Sequence, residues 1–146
     1  MRIPHDSFVL VADGRKSLFF RNEGDGEYPN LVVDRKEVKE NPDHHEQASD
    51  TAGMAMNVIG GHGGSMTEVD FHQLEEDRFA ADTAELLKAR ALRNDYEALV
   101  VVAPPKTLGE LRKHYHKEVE KRLVAEVPKD LTNVPVEEIE RILQAQ

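Results

Sequence analysis

Residues 98–105 constrain the fold of this chain more than any other segment. They read Ala-Leu-Val-Val-Val-Ala-Pro-Pro, a continuous apolar run rich in β-branched side chains that ends at two prolines. Such a run is typical of a strand that is covered on both faces and lies in the middle of a sheet. Thr107 and Glu110 follow with the spacing of a capping box, which predicts a helix that begins there.

A second apolar run, residues 8–12, is separated from a third run at 17–21 by Asp13-Gly14. The Asp-Gly pair predicts a tight antiparallel hairpin, because both residues tolerate the positive φ angles of such turns. Residues 31–38 begin apolar and continue as Asp-Arg-Lys-Glu, which predicts a third strand at the edge of the sheet.

Three sets of apolar residues at helical spacing come later in the chain. The first set predicts a long amphipathic helix that ends near residues 93–94. The second set predicts a helix that faces the core as far as Leu123, and the third set predicts a last helix after Pro135. A short strand is expected at 124–127, where Pro128 stops it. The sets are Phe71, Leu74, Phe79, Ala80, Ala84, Leu87 and Ala91; Leu108, Leu111, Tyr115, Val119 and Leu123; and Val136, Ile139, Ile142 and Leu143.

The resulting element order, β-β-β-α-β-α-β-α, predicts an α/β fold. A meander followed by two right-handed crossovers gives a mixed five-stranded sheet of order 3-2-1-4-5 with helices on its faces, which is the ribonuclease H-like arrangement. The 146 residues fit one domain, 1–146. Residues 41–69 keep neither a helix nor a strand period, so a long flexible loop is expected there.

The charge balance bears on the classes of partner. The net charge of -9 repels phosphate backbones and disfavours a general nucleic-acid binder. No apolar run approaches the roughly 20 residues of a membrane span, and the first residues do not resemble a secretory signal, so cytoplasmic residence is expected. The absence of cysteine excludes disulfides and thiolate metal sites.

Two segments are candidate binding sites. The first is a glycine-rich run around His62. Its backbone N-H groups could hold an anion within reach of that histidine, although a flexible linker explains the run more simply. The second is a basic helix face for RNA or an acidic partner, although a solvated helix face is the commoner interpretation and Glu118 and Glu120 interrupt it. The candidate loop is Gly60, Gly61, His62, Gly63, Gly64 and Ser65; the candidate basic surface is Lys113, Lys117 and Lys121.

Metal and catalytic interpretations are weaker. Asp13 follows the first strand, where a ribonuclease H-like nuclease holds a metal, but the fourth strand ends without an acid, so Asp13 is predicted to be a turn residue. The acids and histidines at 43–46, joined by His62, Asp70 or His72, could bind zinc or nickel, yet nothing fixes their spacing. We therefore predict no native metal site, and we favour a protein that is not an enzyme, although the residues leave this open.

Three stretches, residues 9–15, 101–112 and 126–132, resemble the bacterial family called "protein required for attachment to host cells". The acidic helix at 70–87, with Phe79 and Ala80 inside it, is also similar, and the likeness spans nearly the whole chain except 41–69. The resemblance implies a role in bacterial attachment to host cells, with an unidentified protein partner. Because the first residues do not resemble an export signal, we expect a cytoplasmic, non-enzymatic binding or adaptor module whose role in attachment is indirect. No membrane contact is expected, and the edge strands leave a dimer open.

That family is similar in turn to the middle domain of archaeal and eukaryotic peptide-chain release factors, which has this order of strands and helices. There a Gly-Gly-Gln loop follows the third strand, and its glutamine helps to bring water to the peptidyl-tRNA ester. The corresponding place here holds Gly60-Gly61-His62, without the glutamine. Neither family of domains needs a cofactor, so the resemblance implies no cofactor and no catalytic residue. The resemblance therefore implies, as an alternative, a translation-associated domain that acts at the ribosome through this loop and the basic surface. A hydrolase using His62 with loop carboxylates is a third interpretation.

Overall fold

The computed structural model describes residues 1–38 and 68–146. Its strands are β1 (Phe8–Ala12), β2 (Lys16–Asn22), β3 (Leu31–Val38), β4 (Leu99–Val102) and β5 (Leu123–Val127), and its helices are α1 (Glu68–Leu92), α2 (Pro105–Arg112), α3 (Lys117–Arg122) and α4 (Val136–Gln144). The sheet has the order β3-β2-β1-β4-β5. The predicted fold class and strand order are confirmed. In the described parts, every helix is too short or too polar to cross a bilayer.

The two apolar runs form the centre of the sheet, as predicted. β1 lies parallel to β4, with Phe8 opposite Leu99 and Val11 opposite Val102, and both strands are buried along their whole length. Alternate side chains point to opposite faces, so the same strands supply two cores. The core on the side of α1, α2 and α3 includes Phe8, Leu10, Phe19, Leu87, Leu111 and Val119; the core under α4 includes Val9, Val11, Phe20, Val100, Ile139 and Leu143.

The β1-β2 hairpin is confirmed, but its turn closes for a different reason from the one predicted. Neither Asp13 nor Gly14 has a positive φ. Instead, Asp13 Oδ1 accepts hydrogen bonds from the backbone N-H groups of Arg15 and Lys16, both at 2.7 Å. The aspartate side chain therefore stabilises the turn without a left-handed residue.

The predicted start of the helix after β4 is wrong. Pro104 occupies the N-cap, Pro105 begins α2, and no side chain caps the helix, so Thr107 lies inside it and makes no capping box with Glu110. The physical reason is that proline has a φ angle suited to the first helical turn and no N-H group to leave unpaired there. The two prolines therefore end the strand and begin the helix.

The single helix predicted as far as Leu123 is also wrong, because the chain forms two helices. His116 has an extended backbone, and its Nδ1 accepts a hydrogen bond from the N-H of Glu118 at 3.0 Å. It is thus the N-cap of a new helix, α3, and Tyr115 lies in the connection before it. Leu123 is the first residue of β5. A side-chain acceptor at position 116 starts this second helix, a role that apolar spacing alone does not reveal.

The two edges of the sheet can be defined by the strand directions. β1, β3, β4 and β5 end at one edge, here called the carboxyl edge, and begin at the opposite one, the amino edge; β2 runs the other way. The described chain stops at Val38, opposite Lys16 at the carboxyl edge, and resumes at Glu68. Early in α1, Glu76 lies beside Gly14 of the hairpin, so both attachment points of residues 39–67 are on the side of the carboxyl edge.

Candidate functional site

A cleft opens at the carboxyl edge between α1 and α2. Its empty volume is ≈ 290 Å³, including space open to solvent. In open α/β sheets, ligands bind outside the carboxyl ends of the strands, so this cleft is the candidate functional site. Buried residues form its floor, and more exposed residues form its rim: Ala12, Phe79, Ala80, Thr83 and Leu111 below; Asp13, Gly14, Glu76, Lys106, Thr107 and Glu110 around them.

An exposed ion pair spans the rim. Lys106, in the first turn of α2, places Nζ 3.5 Å from Glu76 Oε2 on α1, and its side chain is 65% exposed. Glu76 fits there because Gly14 has no side chain: a Cβ at Gly14 would lie only 2.9 Å from Cγ and Cδ of Glu76. An ion pair this exposed is screened by water and salt, so either partner can turn to a ligand at low cost.

A second polar network ties the hairpin to the segment after β5. Thr132 Oγ1 lies 3.0 Å from Asp13 Oδ2 and 2.8 Å from Asp130 Oδ1, and Lys16 Nζ donates to the backbone oxygen of Thr132 at 3.3 Å. Both carboxylate oxygens of Asp13 thus have partners within the protein. The prediction that Asp13 is a turn residue is confirmed.

A third group of polar side chains joins α1 to the end of α2. His114 Nε2 lies 3.6 Å from Asp77 Oδ1, and Lys113 Nζ lies 3.2 Å from Glu110 Oε1. A hydrogen bond with Glu110 lowers the pKa of Asp77 below its ordinary value, and the nearby charges of His114 and Lys113 lower it further, although desolvation opposes them. These four residues form what we call the helix-junction cluster.

The structure divides the predicted basic surface between two helix ends. Lys113 pairs with Glu110, and Lys121 Nζ lies 2.9 Å from Glu118 Oε2; in the described parts of the chain Lys117 has no ion pair. At the end of α3, Arg122 Nε donates to the backbone oxygen of Tyr96 at 2.9 Å, just before β4 begins. The surface therefore extends towards the amino edge, away from the attachment points of residues 39–67.

The remaining predicted residues are only partly within the described chain. Gly60, Gly61, His62, Gly63, Gly64 and Ser65, together with the acids and histidines at 43–46, lie outside it. Asp70 and His72 lie on α1, and His72 Nε2 is 4.0 Å from Glu68 Oε1. Across residues 1–38 and 68–146, His, Asp and Glu side chains nowhere gather in threes with the geometry of a metal site.

Sequence reasoning missed Glu76, Asp77 and His114 as members of a site. In the sequence, Glu76 and Asp77 are ordinary charged residues on a solvated helix face. Their partners in the structure, Lys106 and His114, lie about 30 or more residues further along the chain. The one available signal was the Pro-Pro start of α2, which places Lys106 in its first turn at the end of β4.

Comparison with known families places the chain in a class. It matches the model of bacterial archaeo-eukaryotic release factor family 12 over residues 6–143. It is therefore a release-factor-like domain, as one of the two resemblances implied. Because the match covers nearly all of the sequence, the chain belongs to bacterial archaeo-eukaryotic release factor family 12. No curated protein matches it, and the host-attachment resemblance gains no support.

Proposed function

We propose that this release-factor-like domain acts in translation, at the ribosome, through the carboxyl edge of its sheet and the glycine-rich segment attached there. The observation that carries the proposal is the family match over residues 6–143. The proposal concerns binding and not hydrolysis of the peptidyl-tRNA ester. His62 stands where the resemblance to release factors would require glutamine.

The position of the attachment points supports this choice of surface. Val38 ends β3 at the carboxyl edge, and α1 begins on the same side. Both described ends of the chain that flank residues 39–67 therefore lie on the side of the cleft and away from the amino edge, where the central strands begin. A ligand that binds between these two ends can also reach the rim of the cleft.

The distribution of cations supports it as well. The net charge of -9 opposes contact with a phosphate backbone, so any such contact has to be local. Three exposed basic residues surround the carboxyl edge: Arg15 in the hairpin, Lys106 at the start of α2 and Lys129 after β5. They form what we call the carboxyl-edge cations.

Co-sedimentation tests the proposal. Lysate containing the tagged full chain is separated on a sucrose gradient at low salt, with the His62→Ala variant and a matched His5→Ala control, whose side chain is 62% exposed. We expect the wild type and His5→Ala to travel with ribosomes and His62→Ala to be depleted from those fractions. A wild-type chain found only in the soluble fractions at low salt would contradict the proposal, because electrostatic binding is strongest there.

A protein-binding adaptor without ribosome contact is the second candidate. The ion pairs of Lys113 and Lys121 favour it, because they neutralise much of the basic helix face within the domain. The same gradient separates the two functions. An adaptor stays in the light fractions, and substitution of His62 does not change its sedimentation.

A further inference from the structure

The two outermost strands of the sheet differ in how they are protected against pairing with another strand. β3 carries four consecutive charged residues, Asp-Arg-Lys-Glu at 34–37, which is a common protection of outer strands in natural sheets. In β5, Leu-Val-Ala-Glu-Val, the one charged side chain is Glu126, which pairs with Arg112 at 3.1 Å. Val124 of β5 is 55% exposed. Of the two strands, β5 is therefore the one whose outer side can accept a further strand.

The backbone of β5 presents unused groups on its outer side, which faces away from β4. Within the described residues β5 pairs with β4 alone, in parallel, with Val102 opposite Val127. The oxygen of Val127 accepts a hydrogen bond from the N-H of Ala103 at 3.1 Å, so the backbone groups of Val127 face β4. Because this direction alternates along a strand, the N-H and C=O of Glu126 face outward. An extended peptide pairs with such groups when it adds a strand to a sheet.

The charge around β5 favours an acidic occupant. Residues 112–129 hold six Lys and Arg residues against three Glu, although the chain as a whole has a net charge of -9. Lys121 lies two residues before the strand and Lys129 two residues after it, and both are exposed. The ion pair of Lys121 with Glu118 leaves the lysine side chain 68% exposed, so a competing carboxylate can replace it at low cost. A strand added along β5 therefore lies between two cations.

We propose that the outer side of β5 binds an extended acidic peptide segment, which adds a further strand to the sheet. The backbone of the peptide pairs with β5, its carboxylates meet Lys121 and Lys129, and its apolar side chains contact Val124. RNA fits this surface less well, because the one aromatic residue at 112–129, Tyr115, is partly buried and gives bases no open ring to stack on. A second copy of the chain would bring a net charge of -9 against another. The inference does not depend on ribosome binding.

Fluorescence anisotropy with synthetic peptides tests the proposal on the full chain. The labelled probe alternates Asp or Glu with Val over about seven residues, enough to span β5. One control peptide has Lys in place of the acids, and the other keeps the acids but carries methyl groups on its backbone nitrogens. We expect the acidic probe to bind at least about tenfold more tightly than either control. Equal binding of the methylated peptide, which would show contact by charge alone, or no saturable binding of the probe would overturn the proposal.

Val124 and Val33 offer a matched pair of variants. They lie on the two outermost strands, and their exposed fractions are 55% and 53%. Val124→Asp places a negative charge on the proposed surface, and Val33→Asp places the same charge on β3. We expect the first variant to bind the acidic probe at least about tenfold more weakly and the second to change the affinity by less than about twofold. Equal losses in the two variants would count against β5 as the binding strand.

Hydrogen exchange and sedimentation of the wild type need no variant. With saturating acidic probe, the amide of Glu126 should exchange at least about tenfold more slowly, because its N-H then donates to the peptide. The amide of Asn94, which donates to the backbone oxygen of Ala91 at 2.9 Å, is the control and should not respond. Protection in β3 instead of at Glu126 would move the site to the other outermost strand. A dimer in sedimentation velocity that the probe dissociates would assign β5 to a second copy. Either result would overturn the proposal.

Discussion

The two edges of the sheet satisfy their polar groups in different ways. At the amino edge, Arg90 is only 15% exposed, contacts Asp34 and Asp95, and lies with its guanidinium carbon 4.7 Å from the centroid of the Phe8 ring. At the carboxyl edge, the ion pair of Lys106 is long and exposed. The difference teaches that the amino edge contributes mainly stability, while the carboxyl edge keeps polar groups that can change partner.

Local geometry strengthens the amino edge further. Phe8 stacks on Tyr96 at 5.1 Å, and the Tyr96 hydroxyl donates to the backbone oxygen of Leu87 at 2.8 Å. α1 ends there in a Schellman motif, in which Asn94 has a φ of 60° and the N-H of Asp95 donates five residues back, to Arg90, at 2.9 Å. The chain thus leaves the helix with its last carbonyls paired and enters β4 without a flexible linker.

The largest expected effect is at the aromatic pair. Phe8→Ala removes a fully buried ring and should lower the free energy of unfolding by about 4 kcal/mol, because the surrounding strands cannot close the cavity. Urea unfolding at neutral pH measures this loss. A change below about 1 kcal/mol would show that the amino edge does not carry the stability assigned to it.

Two glycines, one at each edge, allow a matched comparison. A Cβ at Gly24 would lie 2.1 Å from the backbone oxygen of Tyr28, whereas one at Gly14 meets only the flexible side chain of Glu76 at 2.9 Å. We expect Gly24→Ala to cost at least about 2 kcal/mol and Gly14→Ala less than about 1 kcal/mol. Thermal unfolding of both variants checks the order. A larger destabilisation by Gly14→Ala than by Gly24→Ala would contradict the view that the amino edge contributes more to stability than the carboxyl edge.

Alkaline pH should lower the free energy of unfolding, in part through Tyr96 at the amino edge. Burial raises the pKa of Tyr96 to about 12, although Arg122 and Arg90 oppose the shift. The folded state then holds a proton that the unfolded state loses above pH 10, so stability falls as the pH rises from 10 to 12, by about 2 kcal/mol. Burial raises the pKa of Tyr115 as well.

Tyr96→Phe separates the two tyrosines. It removes the buried hydrogen bond to Leu87 and should cost about 1 kcal/mol at neutral pH. It should also remove part of the loss above pH 10, leaving the part due to Tyr115. Urea unfolding across this pH range gives both quantities. An unchanged alkaline slope in the variant would contradict the role given to Tyr96.

The smallest expected effect is at the cleft. Lys106→Gln and Glu76→Gln together should change the free energy of unfolding by less than about 0.5 kcal/mol, since exposed ion pairs contribute little. Thermal unfolding of the double variant measures it. A decrease in the free energy of unfolding above about 2 kcal/mol would show that the rim of the cleft contributes to stability. It would contradict the proposed difference between the two edges.

The sheet could be predicted from sequence because its two central strands are apolar on both faces. Residues 8–12 and 98–103 can be buried together only in the middle of a sheet, and Asp13-Gly14 fixes the turn. The break between α2 and α3 could not be predicted in this way. It depends on the single hydrogen bond that makes His116 an N-cap, while the apolar spacing continues unbroken across it.

The candidate site was harder to predict than the fold. Its polar contacts join residues far apart in sequence. Asp13 meets Thr132 because the segment after β5 packs on the hairpin, and Asp77 meets His114 because α1 packs against the end of α2. The basic surface, in contrast, is easy to see in the sequence but is largely neutralised in the structure. Lys113 and Lys121 look like a charged stripe in sequence, but neutralising carboxylates lie three residues before each of them.

The most direct test of the central claim is the affinity of the purified chain for purified ribosomes. Two triple variants lose the same charge at different places: Arg15→Gln, Lys106→Gln and Lys129→Gln at the carboxyl-edge cations, or Arg93→Gln, Lys117→Gln and Lys121→Gln towards the amino edge. We predict that the first triple weakens binding at least about tenfold and flattens its salt dependence, while the second changes it less than about twofold. Equal effects of the two triples, or no saturable binding by the wild type, would contradict the account.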